Sequence, residues 1–511
     1  MNAPLVRLTI PFVVGMVMAN FFIDELSLTL LFITCCALVA ILFFLYPQPK
    51  NASHHSIFGI VAIITSLAIG MTLFTHKHNS ISSGMPNDST FVCGIVASKP
   101  QQKAKSTAVT ITQPNGIDVM LYIGKDKYNN DRNAIDSIRI SQISIGDTVL
   151  ANIKHLSTTY NFDREYGYYH RNLFNNNICA TAYVPPHKWS LKARTSAPSI
   201  IKKLQSLQDT LHIIYNNNGI DGETAEIIEA MTIGRKADIK QSTREKYSKS
   251  GVSHVLAMSG FHIGTILVIL QFLLFVKLMP YRLTWISNLV IIAALWCFAI
   301  IAGTPPSLVR ATIMCTILLL CQSYTRQVIT LNSVSIALIL MLCYNPLYIM
   351  NIGFQLSFAS VFGIVLFAKP LFSIFKTNNK IVAFIWQIAA ISLICSIITA
   401  PLVAYHFGQI PLYSVISNLL ITVIVTFIII MTALWWSMLW WQELNECITH
   451  ILKLATSLMN EIVTFISSLP YSTLKCEPGI LTVIVSYTII LALFFYIKHA
   501  LNKARAVLPL P

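Results

Sequence analysis

Eleven apolar runs of about membrane length punctuate this chain of 511 residues, and no other feature constrains its fold as strongly. A helix rising about 1.5 Å per residue needs roughly 20 apolar residues to cross a hydrocarbon layer of ~30 Å. Backbone that faces lipid must satisfy its own hydrogen bonds, so these runs have to be helices. They fall near 5–23, 26–46, 57–75, 252–276, 283–302, 307–324, 328–344, 352–369, 381–402, 412–436 and 479–497. A twelfth stretch, 447–469, is ambiguous because Lys453 and Glu461 lie within it. Hydrophobic residues make up 55% of the chain and charged ones 11%, which points to a polytopic α-helical membrane protein. Arg7 sits near the start of the first run and no A-x-A site follows, so this run reads as a retained span. The absence of an internal repeat speaks against inverted-repeat transporters.

The runs divide the chain into five segments: 1–76 with three spans, a polar insert at 77–198, connecting helices at 199–250, a membrane core at 251–442, and a membrane tail at 443–511. In the insert, "TFVCGIVAS", "TAVTIT", "IDVMLYIG" and "DTVLANI" are short, β-branched and separated by Gly, Pro and Asn. This is the pattern of a small antiparallel β domain or barrel. Cys93 and Cys179 fall in this region; they pair if it faces an oxidising compartment and stay free thiols otherwise. Ile200, Leu204, Leu207, Leu211 and Ile214 repeat at amphipathic helical spacing. "DGETAEIIEAMTIG" begins acidic and ends at Gly234, as a capped helix does.

Net charge is +15, and its placement matters more than its size. Lys50, Lys277 with Arg282, Arg326, and Lys369, Lys376 and Lys380 occupy alternate loops; Asp24 and Glu25 occupy the first of the others. Positive loops stay cytoplasmic, so the N-terminus is expected inside and the β domain outside. The basic tail (Lys498, Lys503, Arg505) also belongs inside, which requires 447–469 to cross.

From Gly251 to Gln442 there is no Asp or Glu, and six of the seven Lys and Arg residues fit loops or span ends. The seventh, Arg310 in "GTPPSLVRATIM", enters a span with no local carboxylate. It either snorkels to headgroups or meets carbonyls, lipid phosphate or an anionic substrate. Ion-coupled carriers normally keep acids in their spans, so the block disfavours them; a polyanion would favour it. In "GVSHVLAMSGFHIGTI", His254, Met258 and His262 recur every four residues and share one face of a continuous helix, with Ser259 about 60° away. Gly260 and Gly264 permit close approach or a break. These residues suit interfacial hydrogen bonding, a polar path or gate, or nucleophilic or metal catalysis; no HExxH is present. In "NPLYIMNIGFQLSFASVFG", Gln355 and Ser357 are packing glue or path-lining groups. Pro401, His406, Gly408, Pro411 and Asn418 crowd "TAPLVAYHFGQIPLYSVISNLLI", where helix breaks are expected.

Taken in order, these segments resemble the ComEC family of DNA-internalisation membrane proteins over most of the chain. "SHVLAMSGFHIG" resembles its most recognisable motif. "GTPPSLVRATIM" resembles a second, placing Gly303, Ser307, Arg310 and Ala311. "GFQLSF" and "APLVAYHFGQIPLYSVISNLL" resemble two more, the latter placing Pro401 and Asn418. "IGDTV" followed by "NFDREYGYYHRNLFNNNI" resembles the close of the family's extracytoplasmic OB-like domain. The resemblance implies an inner-membrane channel for single-stranded DNA in natural transformation, with other uptake proteins and membrane lipids as partners. His254, Ser259, Gly260, His262, Arg310, Gln355, Ser357, His406 and Asn418 would line or gate its path. No cofactor or metal is expected. Many relatives carry a metallo-β-lactamase-like nuclease domain, but no HxHxDH-type motif occurs here, so nuclease activity is not expected. The alternatives are an intramembrane hydrolase using Ser259 with His254 or His262, which lacks an acidic orienter nearby, and a transporter of another anion.

Overall fold

Local sequence sets the elements of the computed structural model. It describes residues 4–23, 25–45, 52–82, 91–98, 100–103, 106–125, 143–153, 155–159, 173–186, 188–193, 200–236, 239–274, 276, 281–324, 330–375 and 377–507. Lys50, Lys277, Arg326, Lys376 and Asp24, and residues 161–172 of the "NFDREYGYYHRNLFNNNI" stretch, lie outside the described residues. The chain forms two compact units, Met1–Leu207 with Ile339–Asn351, and Gln208–Leu338 with Ile352–Pro511.

In the first unit, α1 (Pro4–Phe21) and α3 (Ala52–Ser82) pack so closely that a Cβ on Gly15 would strike the Leu67 carbonyl, and one on Gly70 that of Phe12. Glycine at the crossing is what permits that approach. α2 (Leu28–Leu45) buries none of its residues and packs on α3. The insert forms β1 (Phe91–Val96), β2 (Gln101–Gln102), β3 (Ser106–Thr112), β4 (Asp118–Gly124), β5 (Thr148–Asn152), β6 (His155–Thr158), β7 (Ile178–Val184) and β8 (Trp189–Ala193). They join in one eight-stranded sheet, ordered β6-β7-β4-β3-β1-β5-β8, with β2 beside β3. The expectation of an all-antiparallel domain needs correction: β4 and β7 run parallel, so the sheet is mixed. Alternation decides the faces, with Val119, Leu121 and Ile123 buried while Asp118, Met120 and Tyr122 face outward.

The same sheet decides the cysteines. Cys93 on β1 and Cys179 on β7 are both free. β3 and β4 lie between their strands, a separation of ~14 Å along the sheet at about 4.8 Å per strand. A disulfide needs Cα atoms within roughly 7 Å, so the pairing alternative falls.

The second unit begins with α4 (Ile200–Asn217), α5 (Gly222–Thr232), α6 (Gln241–Lys249) and the one-turn α7 (Ser253–Leu256). It continues with α8 (Gly260–Leu273), α9 (Tyr281–Ile301), α10 (Pro306–Tyr324), α11 (Thr330–Tyr344, shared with the first unit), α12 (Ile352–Phe372), α13 (Lys380–Phe407), α14 (Ser414–Ser437), α15 (Gln442–Ser468) and α16 (Ile480–Val507). Among the described residues, eight helices are long and apolar enough to span a membrane, and 260–273, 330–344 and 480–496 are shorter apolar helices, so each of the eleven runs contains a helix.

Pro401 does not break its helix, contrary to expectation: α13 runs through it to Phe407. A proline removes one backbone donor, a loss that neighbouring helices can absorb. The break comes at Gly408, left-handed at φ 65, followed by the strand β9 (Gln409–Pro411). β9 pairs with β10 (Thr473–Lys475), tying the start of α14 to the end of α15. α14 and α15 therefore form an antiparallel hairpin of about equal length. The ambiguous stretch returns along the path that α14 takes. It does so amphipathically: Asn445, Ile448, Leu452, Met459 and Val463 turn inward, so a run with Lys453 and Glu461 needs no uniform apolarity.

Candidate functional site

The first motif does not form the continuous helix that its spacing suggested. Ala257 and Ser259 are extended, at φ −97, ψ 125 and φ −121, ψ 172. The chain thus breaks between α7 and α8, and His254 and His262 share no helix face. Serine explains the break, because Ser259 caps α8 and residues of its type compete with helix for backbone bonds. The Ser259 N–H donates to His262 Nδ1 at 3.3 Å, and the Ser259 hydroxyl lies 3.1 Å from the same nitrogen. A nitrogen that accepts from a backbone N–H carries no proton, so neutral His262 holds its proton on Nε2. That Nε2 is buried and has no partner, on a side chain 1% exposed.

The second motif repairs the break. Ser307 Oγ donates to the Met258 carbonyl at 2.7 Å, an acceptor that the interrupted helix leaves over. Ala311 comes within 3.4 Å of where a Cβ on Gly260 would sit. Gly264 differs from its expected role, since a Cβ there would meet nothing within 4 Å. Arg310 points into the bundle and does not snorkel: it is 3% exposed, with Nε and Nη1 buried and unpartnered. Its guanidinium carbon lies 5.2 Å from the Phe358 ring centroid, so the contact from the "GFQLSF" segment is an aromatic face.

On the other side, His406 Nε2 is 3.1 Å from Gln355 Oε1. Asn418 Nδ2 donates to Ser392 Oγ at 2.9 Å, leaving Asn418 Oδ1 buried and unpartnered. Ser357 is half-buried on α12, and His254 is exposed on α7. The motifs share an arrangement that spacing alone did not reveal. α8 packs on α10, α10 on α12, α12 on α13, α13 on α14, and α14 back on α8, closing a ring of five helices. Each helix of the ring contributes a motif residue: His262, Arg310, Gln355, His406 and Asn418.

Lys236 is the residue that sequence reasoning missed. It lies half-buried on the turn that follows α5. Burial, and then the nearby Arg244, push its ammonium below the ordinary lysine pKa. The turn holding it is fixed from several sides. Gly234 sits at φ 78 against the Ala302 carbonyl. Gln208 Nε2 donates to the carbonyls of Ile233 and Ile301 at 3.0 and 2.6 Å. Arg235 pairs with Asp209 at 3.2 Å and Glu229 at 3.5 Å, and Glu229 also meets His212 at 2.6 Å. The available hint was "IGRKADIK", a basic pair directly after a helix-ending glycine.

Among the described residues, no group of three or more His, Cys, Asp or Glu is placed to hold a metal. What the ring presents instead is a set of buried donors. His262 Nε2, Arg310 Nε and Arg310 Nη1 are N–H groups lacking acceptors, and such groups cost free energy unless something completes them. Their complement is a group that only accepts, as an anionic oxygen does.

Fold and site together define a polytopic membrane protein built around a carboxylate-free, donor-lined helix ring. The chain belongs to the competence protein family, whose model matches residues 231–500, more than half of its length. It is similar to ComE operon protein 3 of Bacillus subtilis (strain 168), with 28% identity over 299 residues covering 57% of this chain. The match spans 37% of that relative's length. No solved structure matches.

Proposed function

We propose that this protein carries single-stranded DNA through a bacterial inner membrane during competence, with the five-helix ring as its path. Membership of the competence family supports a role in DNA uptake. The observation that carries the reading is the set of unpartnered donors in the ring, where His262 and Arg310 present buried N–H groups and no acid lies between Gly251 and Gln442. A phosphodiester offers charge and acceptors without donors, and a guanidinium fork suits its oxygens. Lys236 and His254 would meet the strand before the buried donors do. In this reading the chain is a conduit and not a nuclease.

The charge alternation of the loops supports an extracytoplasmic β sheet and a cytoplasmic N-terminus. The OB-like character of that sheet belongs to the same proposal. Phe91 and Tyr183 are exposed on it, and Lys103 lies 4.8 Å over the Tyr122 ring, a combination that suits stacked bases and phosphates. The hydrolase alternative draws on the 3.1 Å contact of Ser259 with His262, but that Nδ1 already accepts the Ser259 N–H, and the block supplies no acid to orient a triad.

A DNA-uptake assay in a deletion strain complemented with variants tests the path. Arg310→Gln should abolish uptake with membrane levels unchanged, and Arg310→Lys, which keeps charge but loses the fork, should reduce it partially. Normal uptake by Arg310→Gln would overturn the phosphate role.

A further inference from the structure

We propose that Asn418 accepts a hydrogen bond from the base of an unpaired nucleotide, so that the seam between α13 and α14 is the base side of the ring and Arg310 its phosphate side. The proposal rests on the reading of the ring as a path for single-stranded DNA. Two helix faces build the seam. On α13, Ser392, Ser396 and His406 fall within an arc of about 80°, on the side away from Ile397, which is 48% exposed. On α14, Asn418 lies about 160° around the helix from Leu420, which is 45% exposed. Both faces therefore turn in from the outer surface of the bundle. In the packing order of the ring, the edge formed by α13 and α14 lies opposite α10, the helix of Arg310.

The seam holds two polar pairs one turn apart. The Ser396 and Ser414 hydroxyls are 3.0 Å from each other and complete one another. Asn418 is not completed: Nδ2 is used on Ser392 Oγ at 2.9 Å, and Oδ1 is buried without a partner. A buried acceptor of this kind costs free energy until a donor reaches it. Phosphate cannot supply one, because a phosphodiester only accepts. Deoxyribose within a strand cannot either, since it lacks the 2′-hydroxyl of RNA. The N–H groups of DNA are on its bases: an exocyclic amine on adenine, cytosine and guanine, and the ring imide of thymine. Each base therefore carries a donor on its Watson–Crick edge, and the contact needs no particular sequence. Pairing in a duplex occupies that same donor, so Asn418 selects for an unpaired strand. Arg310 and His262 want acceptors and Asn418 wants a donor, and a nucleotide of a single strand offers both on opposite sides.

The test is fluorescence anisotropy on the purified full chain in detergent, with labelled oligothymidylate and a strand of equal length methylated on every thymine imide nitrogen. The parent chain should bind the unmethylated strand about tenfold tighter, the ratio that one buried acceptor left unsatisfied supports. Asn418→Leu should bind both strands alike, at the affinity the parent shows for the methylated one. Arg310→Gln should weaken both and keep their ratio. Equal affinities in the parent chain would assign Oδ1 to water and overturn the base contact, without need of any variant. A preference that survives Asn418→Leu would overturn it too. The two readings fail separately. Equal affinities together with weakened binding by Arg310→Gln would remove the base contact and leave the phosphate role, whereas a preference lost only in Asn418→Leu, with Arg310→Gln binding as the parent does, would remove the phosphate role alone.

Discussion

Replacing Phe358 with leucine isolates what the ring does for Arg310. The guanidinium is 3% exposed, 5.2 Å from that ring, and has two buried nitrogens without acceptors. Stacking on an aromatic face leaves in-plane N–H groups free, so Phe358 presents the fork without occupying it. A desolvated cation–π contact contributes about 2 kcal/mol. At about 1.4 kcal/mol per tenfold, losing it should lower DNA uptake about 30-fold. Leucine keeps most of the apolar volume, whereas Phe358→Tyr keeps the ring. Transformation frequency, normalised to the amount of protein in the membrane, reads the difference. Leucine should fall about 30-fold and tyrosine should stay within a few-fold of the parent. Normal uptake in the leucine variant, or an equal fall in both, would show that Phe358 only fills space beside Phe354, 4.5 Å away.

Three further outcomes are expected. Ser106→Cys in the β sheet should react with a membrane-impermeant thiol reagent on intact spheroplasts, while Asn502→Cys in the tail should react only after lysis; the reverse pattern would invert the topology. The purified chain should not cleave DNA with added divalent metal, because two-metal nucleases need acidic ligands and residues 251–442 have none; cleavage lost in His262→Ala would refute this. Gly234→Ala, forced into φ 78 against the Ala302 carbonyl, should lose about 1–3 kcal/mol as a lower thermal midpoint in detergent. Gly264→Ala should leave that midpoint unchanged, since a Cβ there meets nothing.

The membrane helices were legible because hydrophobic length is a one-dimensional property. Each of the eleven apolar runs between Leu5 and Tyr496 contains a helix, the one at 252–276 after a break at Ala257–Ser259. Where a helix ends is a different question, because it depends on local competition for backbone bonds. The four-residue spacing of His254, Met258 and His262 looked like one face, but Ser259 takes the backbone out of the helix and His262 caps the new start. Pro401 misled in the opposite direction, since α13 absorbs a proline where packing supplies the missing contacts. Arg310 was legible as a buried cation without a local acid, yet its aromatic contact was not, because Phe358 lies 48 positions away on another helix. The ring was invisible for the same reason. Periodicity locates a face on one helix, whereas ring closure is set by which helices pack together.

The stretch 447–469 shows how two incomplete readings bear on the same end of the chain. Loop charges lead to the expectation of cytoplasmic exits for alternate spans, but they stop short of the tail, because Lys453 and Glu461 forbid counting this stretch as an ordinary span. The β9–β10 pairing supplies the missing parity: whatever side α14 leaves, α15 regains, and α16 starts from there. If the β sheet is extracytoplasmic, α13 ends outside, α14 and α15 cancel, and α16 carries Lys498, Lys503 and Arg505 inward. That is the side positive residues prefer, although the pairing of β9 with β10 owes nothing to charge. The charge rule and the ladder are therefore independent constraints on the same end of the chain, and they agree.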